Sequence, residues 1–352
     1  MIVSAPQIID NLDHFEFVER QKRGLQNWIT SDLDEPPILF NRGAVVEGYQ
    51  KCLSMPASAE SLQTLARYEL VRGNYLAADL ALCEAVQFGD VDRRLSCAHF
   101  SEEWFLNLPN APMLSPITIC SVPDRPAIFI GCDYKYYLKY ALGLARSLTH
   151  YGCDWIHFHL MDVPTGADPD VVADKACKNW SLSIEVSPDL RCEGRYYYAA
   201  ARLVALYQIA SASGVQLVSL DADMWCNMPL GPIWEVLSDV DCALYRMPRR
   251  TFFHTQINAS IVGINPSSLF FLKNVADYIS SVLLDGDHPP WCLDQIALYC
   301  TLRYMQPKGL KAGAFPCIAE NWFEGIFCPQ KIAADSPYKS QWRVMSERWK
   351  DD

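Results

Sequence analysis

The run Leu217-Val-Ser-Leu-Asp221-Ala222-Asp223-Met224-Trp225 holds the residues whose type and spacing speak most directly of chemistry. A short apolar stretch ends in two carboxylates separated by one small residue. Two acids cannot face a dry core unpaired, because each loses on the order of several kcal/mol of hydration there. At a strand end they can converge on one divalent cation, and carboxylate oxygens suit hard ions such as Mn2+ or Mg2+. Such an ion can in turn hold a diphosphate. The competing reading is a solvated acidic turn, since an isolated Asp-x-Asp triplet arises by chance in long chains.

Residues that would position this triplet are readable on both sides of it. From Ala127 onward short β-rich runs alternate with helical patterns. Ala127–Gly131 reads as a buried strand, Tyr134–His150 as a helix, Trp155–Met161 as a strand and Pro169–Trp180 as a helix. Ser181–Val186, Tyr196–Ser213 and Val215–Leu220 continue as strand, helix and strand. That βαβαβαβ order predicts an α/β fold with a mostly parallel, doubly wound sheet and helices on both faces. Ligands in such sheets bind beyond the carboxyl ends of the strands, here just after Ile130 and Leu220.

The chain has 352 residues, a formal charge of −11, half of its residues hydrophobic and 14 cysteines. The apolar fraction excludes a disordered chain. The acidic balance argues against a nucleic-acid binder, which needs a basic footprint. No apolar run approaches the roughly 20 residues that cross a bilayer. Met1 to Phe17 carries Asp10, Asp13 and Glu16 and lacks a signal peptide's basic-then-apolar layout, so a cytoplasmic protein is expected. The cysteines are scattered singly without CxxC spacing and read as structural thiols.

Three regions follow from composition. Residues 1–107 read as helical, 108–126 as a linker with Pro109, Pro112, Pro116, Pro123 and Pro126, and 127–352 as the α/β domain. Within the first region, Ala59–Arg72 and Tyr75–Gln87 fit two amphipathic helices turning at Gly73-Asn74, with small Ala78 and Ala85 allowing close approach. This resembles a single tetratricopeptide hairpin and is expected to stack on helices around Asp13–Ile29 and Ala44–Leu53. The region serves either as a scaffold or as a docking surface for an acceptor or a second copy of the chain, a homodimer.

Four ordered motifs carry a resemblance to nucleotide-sugar glycosyltransferases of the GT-A fold. They are Tyr196-Tyr-Tyr-Ala-Ala-Ala-Arg202 leading to Asp221-Ala-Asp223, then Ile257-Asn258-Ala-Ser-Ile-Val-Gly-Ile-Asn265, then Trp291-Cys-Leu-Asp294-Gln295, then Phe315-Pro316 through Asn321-Trp322. The last three are similar to elements of the glycogenin and lipopolysaccharide galactosyltransferase group. The resemblance spans about Ala127 to Asn321.

That resemblance implies a nucleotide-sugar donor, a divalent metal and a glycan, lipid-linked glycan or protein as hydroxyl acceptor. Asp223, and with it Asp221, would hold the metal that bridges the diphosphate; Ala222 would lie along the donor. Gly131, Cys132, Asp133 and Tyr134 would meet the nucleotide, Gly131 by close backbone approach and Tyr134 by stacking on the base. Asp133 serves as a hydrogen-bond acceptor or as a helix N-cap. Arg202 would bind phosphate or hold Asp221. Asn258 offers an amide to a sugar hydroxyl. Asp294 would recognise the sugar or cap its helix, and Gln295 would lie near the anomeric carbon, which implies a retaining transfer on the front face.

One departure stands out. The resembled group supplies a third metal ligand from a C-terminal His, and this chain has no His after His288. Asp335 is not expected to replace it; Lys339 nearby would bind the β-phosphate. His254 and His288 read as loop or acceptor-side residues, and His157 and His159 share one strand face. Trp225, Trp291 and Trp322 flank motif elements as core rings or sugar platforms. Two other functions compete: a sugar-nucleotide-forming nucleotidyltransferase, which would need a Gly-rich basic loop that Gly131-Cys-Asp-Tyr-Lys135 lacks, and a non-catalytic scaffold with a degenerate transferase fold.

Overall fold

The structure is a computed structural model that describes residue 50 and residues 53–71, 74–88, 93–108, 117–174, 176–185, 194–246, 257–284, 289–315, 326–331, 336 and 339–349. The helix expected around Asp13–Ile29 and, apart from Gln50 and Leu53, the one around Ala44–Leu53 lie outside these residues, as do Gly73, Pro109, Pro112, Pro116, His254, His288, Pro316, Asn321, Trp322 and Asp335. Two compact units divide between Leu106 and Asn107.

The first unit contains α1 (Ala59–Val71), α2 (Tyr75–Val86), α3 (Arg93–Ser96) and α4 (Glu102–Leu106). Ser58 and Ser61 start α1 reciprocally: the Ser61 N–H donates to the Ser58 hydroxyl at 3.1 Å, and the Ser58 N–H to the Ser61 hydroxyl at 2.9 Å. These bonds satisfy donors that a helix start leaves open. Leu62, Ala66, Ala78, Leu82 and Ala85 are buried where α1 and α2 pack together. The alanines permit the close approach expected of them.

The second unit is built on an eight-stranded mixed sheet, ordered β1-β4-β3-β2-β5-β8-β7-β9. Its strands are β1 (Ile117–Ile119), β2 (Ala127–Asp133), β3 (Ile156–Met161), β4 (Trp180–Glu185), β5 (Leu217–Leu220), β7 (Cys242–Arg246), β8 (Ile257–Ile264) and β9 (Ala312–Ala314). A separate ribbon pairs β6 (Met224–Cys226) with β10 (Phe327–Pro329). Strands β2 to β5 run parallel, as the alternation predicts, and β1, β8 and β7 add antiparallel pairings. From β2 the chain steps outward to β3 and β4, then returns to the other side of β2 as β5. The reversal leaves a crevice beyond the carboxyl ends of β2 and β5, the place where such sheets bind ligands.

Helices flank the sheet: α5 (Leu142–His150), α6 (Pro169–Ala173), α7 (Gly194–Ser213), α8 (Gly231–Ser238), α9 (Leu269–Leu284), α10 (Leu293–Met305) and α11 (Lys339–Trp349). Three expectations change. The helix expected over Pro169–Trp180 ends at Ala173, whose carbonyl takes hydrogen bonds from the N–H groups of Ala176 and Cys177. Trp180 instead opens β4 opposite Ile156, and its indole N–H donates to Asp174 at 2.8 Å. Ile117–Ile119, inside the expected linker, forms an edge strand on β4 because its alternating Ile-Thr-Ile can complete that edge. The helix expected over Tyr134–His150 has a π-helical stretch at Tyr137–Ala141 between the turn Tyr134–Tyr136 and α5.

The core lies on both faces of the sheet, with Phe129, Ile130, Phe158, Leu220, Phe271 and Tyr278 buried. Asn265, a motif residue, is a strut of this core: its amide donates to the carbonyls of Leu237 at 2.6 Å and Val240 at 2.5 Å. His157 and His159 are buried between strands, ring-stacked on Phe129 and hydrogen-bonded to Ser181 and Ser183.

Candidate active site

A groove opens at the crevice between β2 and β5. Among the described residues it is lined by Gly131, Cys132 and Asp133 from the end of β2, by Asp221, Ala222 and Asp223 after β5, by Arg202 from α7, by Asn258 from β8, and by Asp294 and Gln295 from α10. Tyr136, Tyr198, Arg195 and Trp291 complete its walls. Residues from five separated stretches thus meet at one place. Tyr134 and Lys339 are not among the lining residues: Tyr134 leans on Tyr137, and Lys339 begins α11.

Arg202 is the strut of the site. It is buried, and its Nη1 donates to Asp221 Oδ1. Its Nη2 donates to the Ala259 carbonyl at 2.9 Å and to Asp294 Oδ2 at 3.2 Å, and its Nε to the Ala199 carbonyl at 3.0 Å. Every nitrogen of the guanidinium is therefore engaged with protein. Of the two roles considered for Arg202, the geometry supports holding Asp221, with Asp294 as a second partner. Burial alone would lower its affinity for the proton, and the two carboxylates overcome that, holding it above the ordinary arginine value.

Gly131 owes its type to this strut. A side-chain carbon there would stand 2.8 Å from Arg202 Cβ and 2.9 Å from the Phe129 ring. The close approach expected of Gly131 is thus made by α7, and it brings Arg202 down onto the strand end. Cys132 is buried beside it, and burial pushes its thiol well above the ordinary range, with Asp133 adding to the effect. Asp133 is the N-cap of the Tyr134–Tyr136 turn: its Oδ1 accepts from the N–H groups of Lys135 and Tyr136, both at 3.0 Å.

Asp294 is buried in the first turn of α10, whose N-cap position belongs to Cys292. Its Oδ1 accepts from the Gln295 N–H at 2.8 Å. Burial pushes its carboxyl up to about 6, against the pull of Arg202 and with the push of Asp221. Asn258 Oδ1 accepts from the Ser260 N–H at 2.9 Å. Trp291 is exposed at the rim, edge-on to Tyr196, whereas Trp225 is a core ring packed with Cys328 and Trp349.

Asp223 is held by residues that the sequence reading did not single out. Its Oδ2 accepts from the Tyr136 hydroxyl at 2.9 Å and lies 2.9 Å from the Lys331 ammonium. Its carbonyl accepts from the Gln330 N–H at 2.7 Å. The side-chain amide of Gln330 donates to the carbonyls of Met224 at 2.6 Å and Tyr140 at 3.0 Å. The only signal in the sequence was a Gln-Lys pair following the short apolar run Phe327-Cys328.

These pairings bear on the divalent cation that the resemblance implies. Asp221 is bound by Arg202 and Asp223 by Lys331, so each carboxylate already has a protein cation. Among the described residues no group of three His, Cys, Asp or Glu side chains could hold a metal ion. As arranged, this donor set does not fit Mn2+ or Mg2+.

No protein-family model matches the chain, and no curated protein matches it. Solved structures do overlap with it. The apo form of the glycosyltransferase GlyE of Streptococcus pneumoniae TIGR4 is 15% identical with a TM-score of 0.41, over 65% of this chain and 61% of that one. Mouse xyloside xylosyltransferase 1, apo form, is 9% identical with a TM-score of 0.38, over 65% of this chain and 95% of that one. The chain thus spans less than two thirds of GlyE, and overlaps of this depth assign no activity. No helix among the described residues is long and apolar enough to cross a membrane, and every described cysteine is a free thiol.

Proposed function

We propose that the chain is a glycosyltransferase that moves a sugar from a nucleotide-sugar donor to a hydroxyl of a glycan, a lipid-linked glycan or a protein. The observation that supports it best is convergence: Asp133, the Asp221–Asp223 turn, Asn258 and Asp294-Gln295 line one groove at the switch point of the sheet. Three of the four motifs that carry the resemblance supply residues to this groove, which lies beyond the strand ends where such sheets bind ligands.

In this reading the nucleoside lies against the end of β2, near Asp133 and Tyr136. The diphosphate lies over Ala222 and Asp223. The sugar extends toward Asn258, Asp294 and Gln295, with the exposed Trp291 ring offering an apolar face to it. The bond between the anomeric carbon and the diphosphate oxygen breaks, and the diphosphate leaves with the electron pair. The acceptor oxygen bonds to the anomeric carbon, and its proton passes to the departing diphosphate. Gln295 lies where a neutral amide can steady the developing positive charge at the anomeric carbon, consistent with front-face, retaining transfer of a hexosyl group.

A screen of UDP-, GDP-, CMP- and dTDP-sugars by thermal shift and by donor hydrolysis tests the proposal. One donor class is expected to raise the melting temperature and to be hydrolysed slowly in the absence of acceptor. If none of them does either, the chain is not a sugar-nucleotide enzyme.

A further inference from the structure

We infer that Lys331 is the cation that meets the donor's diphosphate, and that this chain binds its donor without a divalent metal. The inference rests on the glycosyltransferase reading and assigns the charge that the site uses. Sequence analysis pointed to Lys339 for phosphate binding and to Mn2+ or Mg2+ for the acidic turn. The structure puts a different lysine on that turn.

The Lys331 ammonium stands 2.9 Å from Asp223 Oδ2 and donates to the Tyr136 hydroxyl. It also lies 4.4 Å from the centre of the Tyr136 ring and 4.6 Å from that of Tyr140. Those rings lie tilted at 54° to one another at the π-helical stretch, their centres 4.6 Å apart. An ammonium over ring faces is attracted by their negative charge density, which fixes its place without consuming a donor. Of its three N–H donors, Asp223 and Tyr136 take two. Among the described residues nothing takes the third, and the side chain is 48% exposed. Lys331 does not itself line the groove, but the two residues it holds, Tyr136 and Asp223, do. A charged donor aimed at the place where negative charge collects on a departing diphosphate is the electrostatic device that such a transfer needs.

The backbone behind Lys331 is built to hold that position. Gln330 ties its own N–H to the Asp223 carbonyl and its amide to Met224 and Tyr140, and the Trp342 indole donates to the Gln330 carbonyl at 2.9 Å. The lysine is thus fixed to both walls of the acidic turn. A metal ion bound at Asp223 would have to displace this ammonium or sit against it, and like charges at that distance repel.

The test is calorimetric titration of the full chain with UDP, GDP, CDP and dTDP, in EDTA and in Mn2+. One nucleoside diphosphate is expected to bind in EDTA with an affinity that Mn2+ changes by less than about twofold. Lys331→Ala is expected to weaken that binding about tenfold or more, the usual worth of a charged donor on phosphate. Lys331→Arg, which keeps the charge, should restore most of it, and unchanged melting curves would show that both variants fold. Binding that appears only with Mn2+, or that Lys331→Ala leaves unchanged, overturns the inference while the glycosyltransferase reading stands. If none of the four binds under either condition, that reading falls and the inference with it.

Discussion

Arg202 Nη2 donates to Asp294 Oδ2 at 3.2 Å, joining α7 to the first turn of α10 across 92 residues of sequence. The same guanidinium holds Asp221 through Nη1. Two buried or half-buried carboxylates therefore share one cation, and removing it would leave both uncompensated. Arg202→Ala is expected to destabilise the fold by about 3–5 kcal/mol, the cost of breaking a buried ion pair from one side. Urea unfolding of the variant measures it; a loss under about 1 kcal/mol would show that the triad is solvated in solution.

Gly131→Ala tests why that strand end carries glycine. Its new methyl would meet Arg202 Cβ at 2.8 Å and the Phe129 ring at 2.9 Å. Both neighbours are held, so α7 must move outward, at a cost of about 1–3 kcal/mol for overpacking. Nucleoside diphosphate affinity should fall as well, since the displaced guanidinium carries Asp221. A stable variant with unchanged affinity would show that α7 yields freely.

Gln295→Ala separates binding from transfer. Gln295 lines the groove and stays partly accessible, so its loss should not disturb packing. Donor affinity is expected within about threefold of the parent, with the rate of sugar transfer lower by about 10- to 1000-fold, the range for losing one electrostatic contact made in the transition state. Loss of donor binding alone would remove Gln295 from the reaction centre.

His157 predicts a pH dependence of stability. Burial, and secondarily the neighbouring His159, lowers its pKa from 6.5 to about 3. The folded chain keeps the ring neutral between Ser181 and Ser183, while the unfolded chain takes up a proton below pH 6.5. More protons bound on unfolding means that stability rises with pH. This contribution is present above pH 6.5 and is lost as pH falls toward 3, with a slope of at most about 1.4 kcal/mol per pH unit. Urea midpoints measured across that window should fall less steeply for His157→Gln than for the parent.

The sheet's parallel half and the helix α7 could be read directly, because short buried apolar runs alternating with a longer helical apolar period leave a clear mark. The end of α6 was not legible. Pro169–Trp180 has a helix-compatible composition, and only pairing with Ile156 draws Trp180 into β4. The edge strand Ile117–Ile119 was hidden among prolines for the same reason: three residues become a strand only when a neighbour offers its unpaired edge.

At the site, two acids closing an apolar run were enough to single out Asp221 and Asp223, since carboxylates there must face either water or a ligand, whereas Asp133, Asn258 and Asp294-Gln295 were singled out by the resemblance that the ordered motifs carry. Who pairs with whom lay beyond the sequence. That Arg202 serves two carboxylates, that Gly131 makes room for α7, and that Lys331 and Tyr136 rather than Lys339 and Tyr134 stand at the acidic turn are matters of distance. Each contact joins residues brought together by crossovers and by the β6–β10 ribbon. Local patterning records which face a residue presents; only the closed fold sets which charges come within 3 Å of one another.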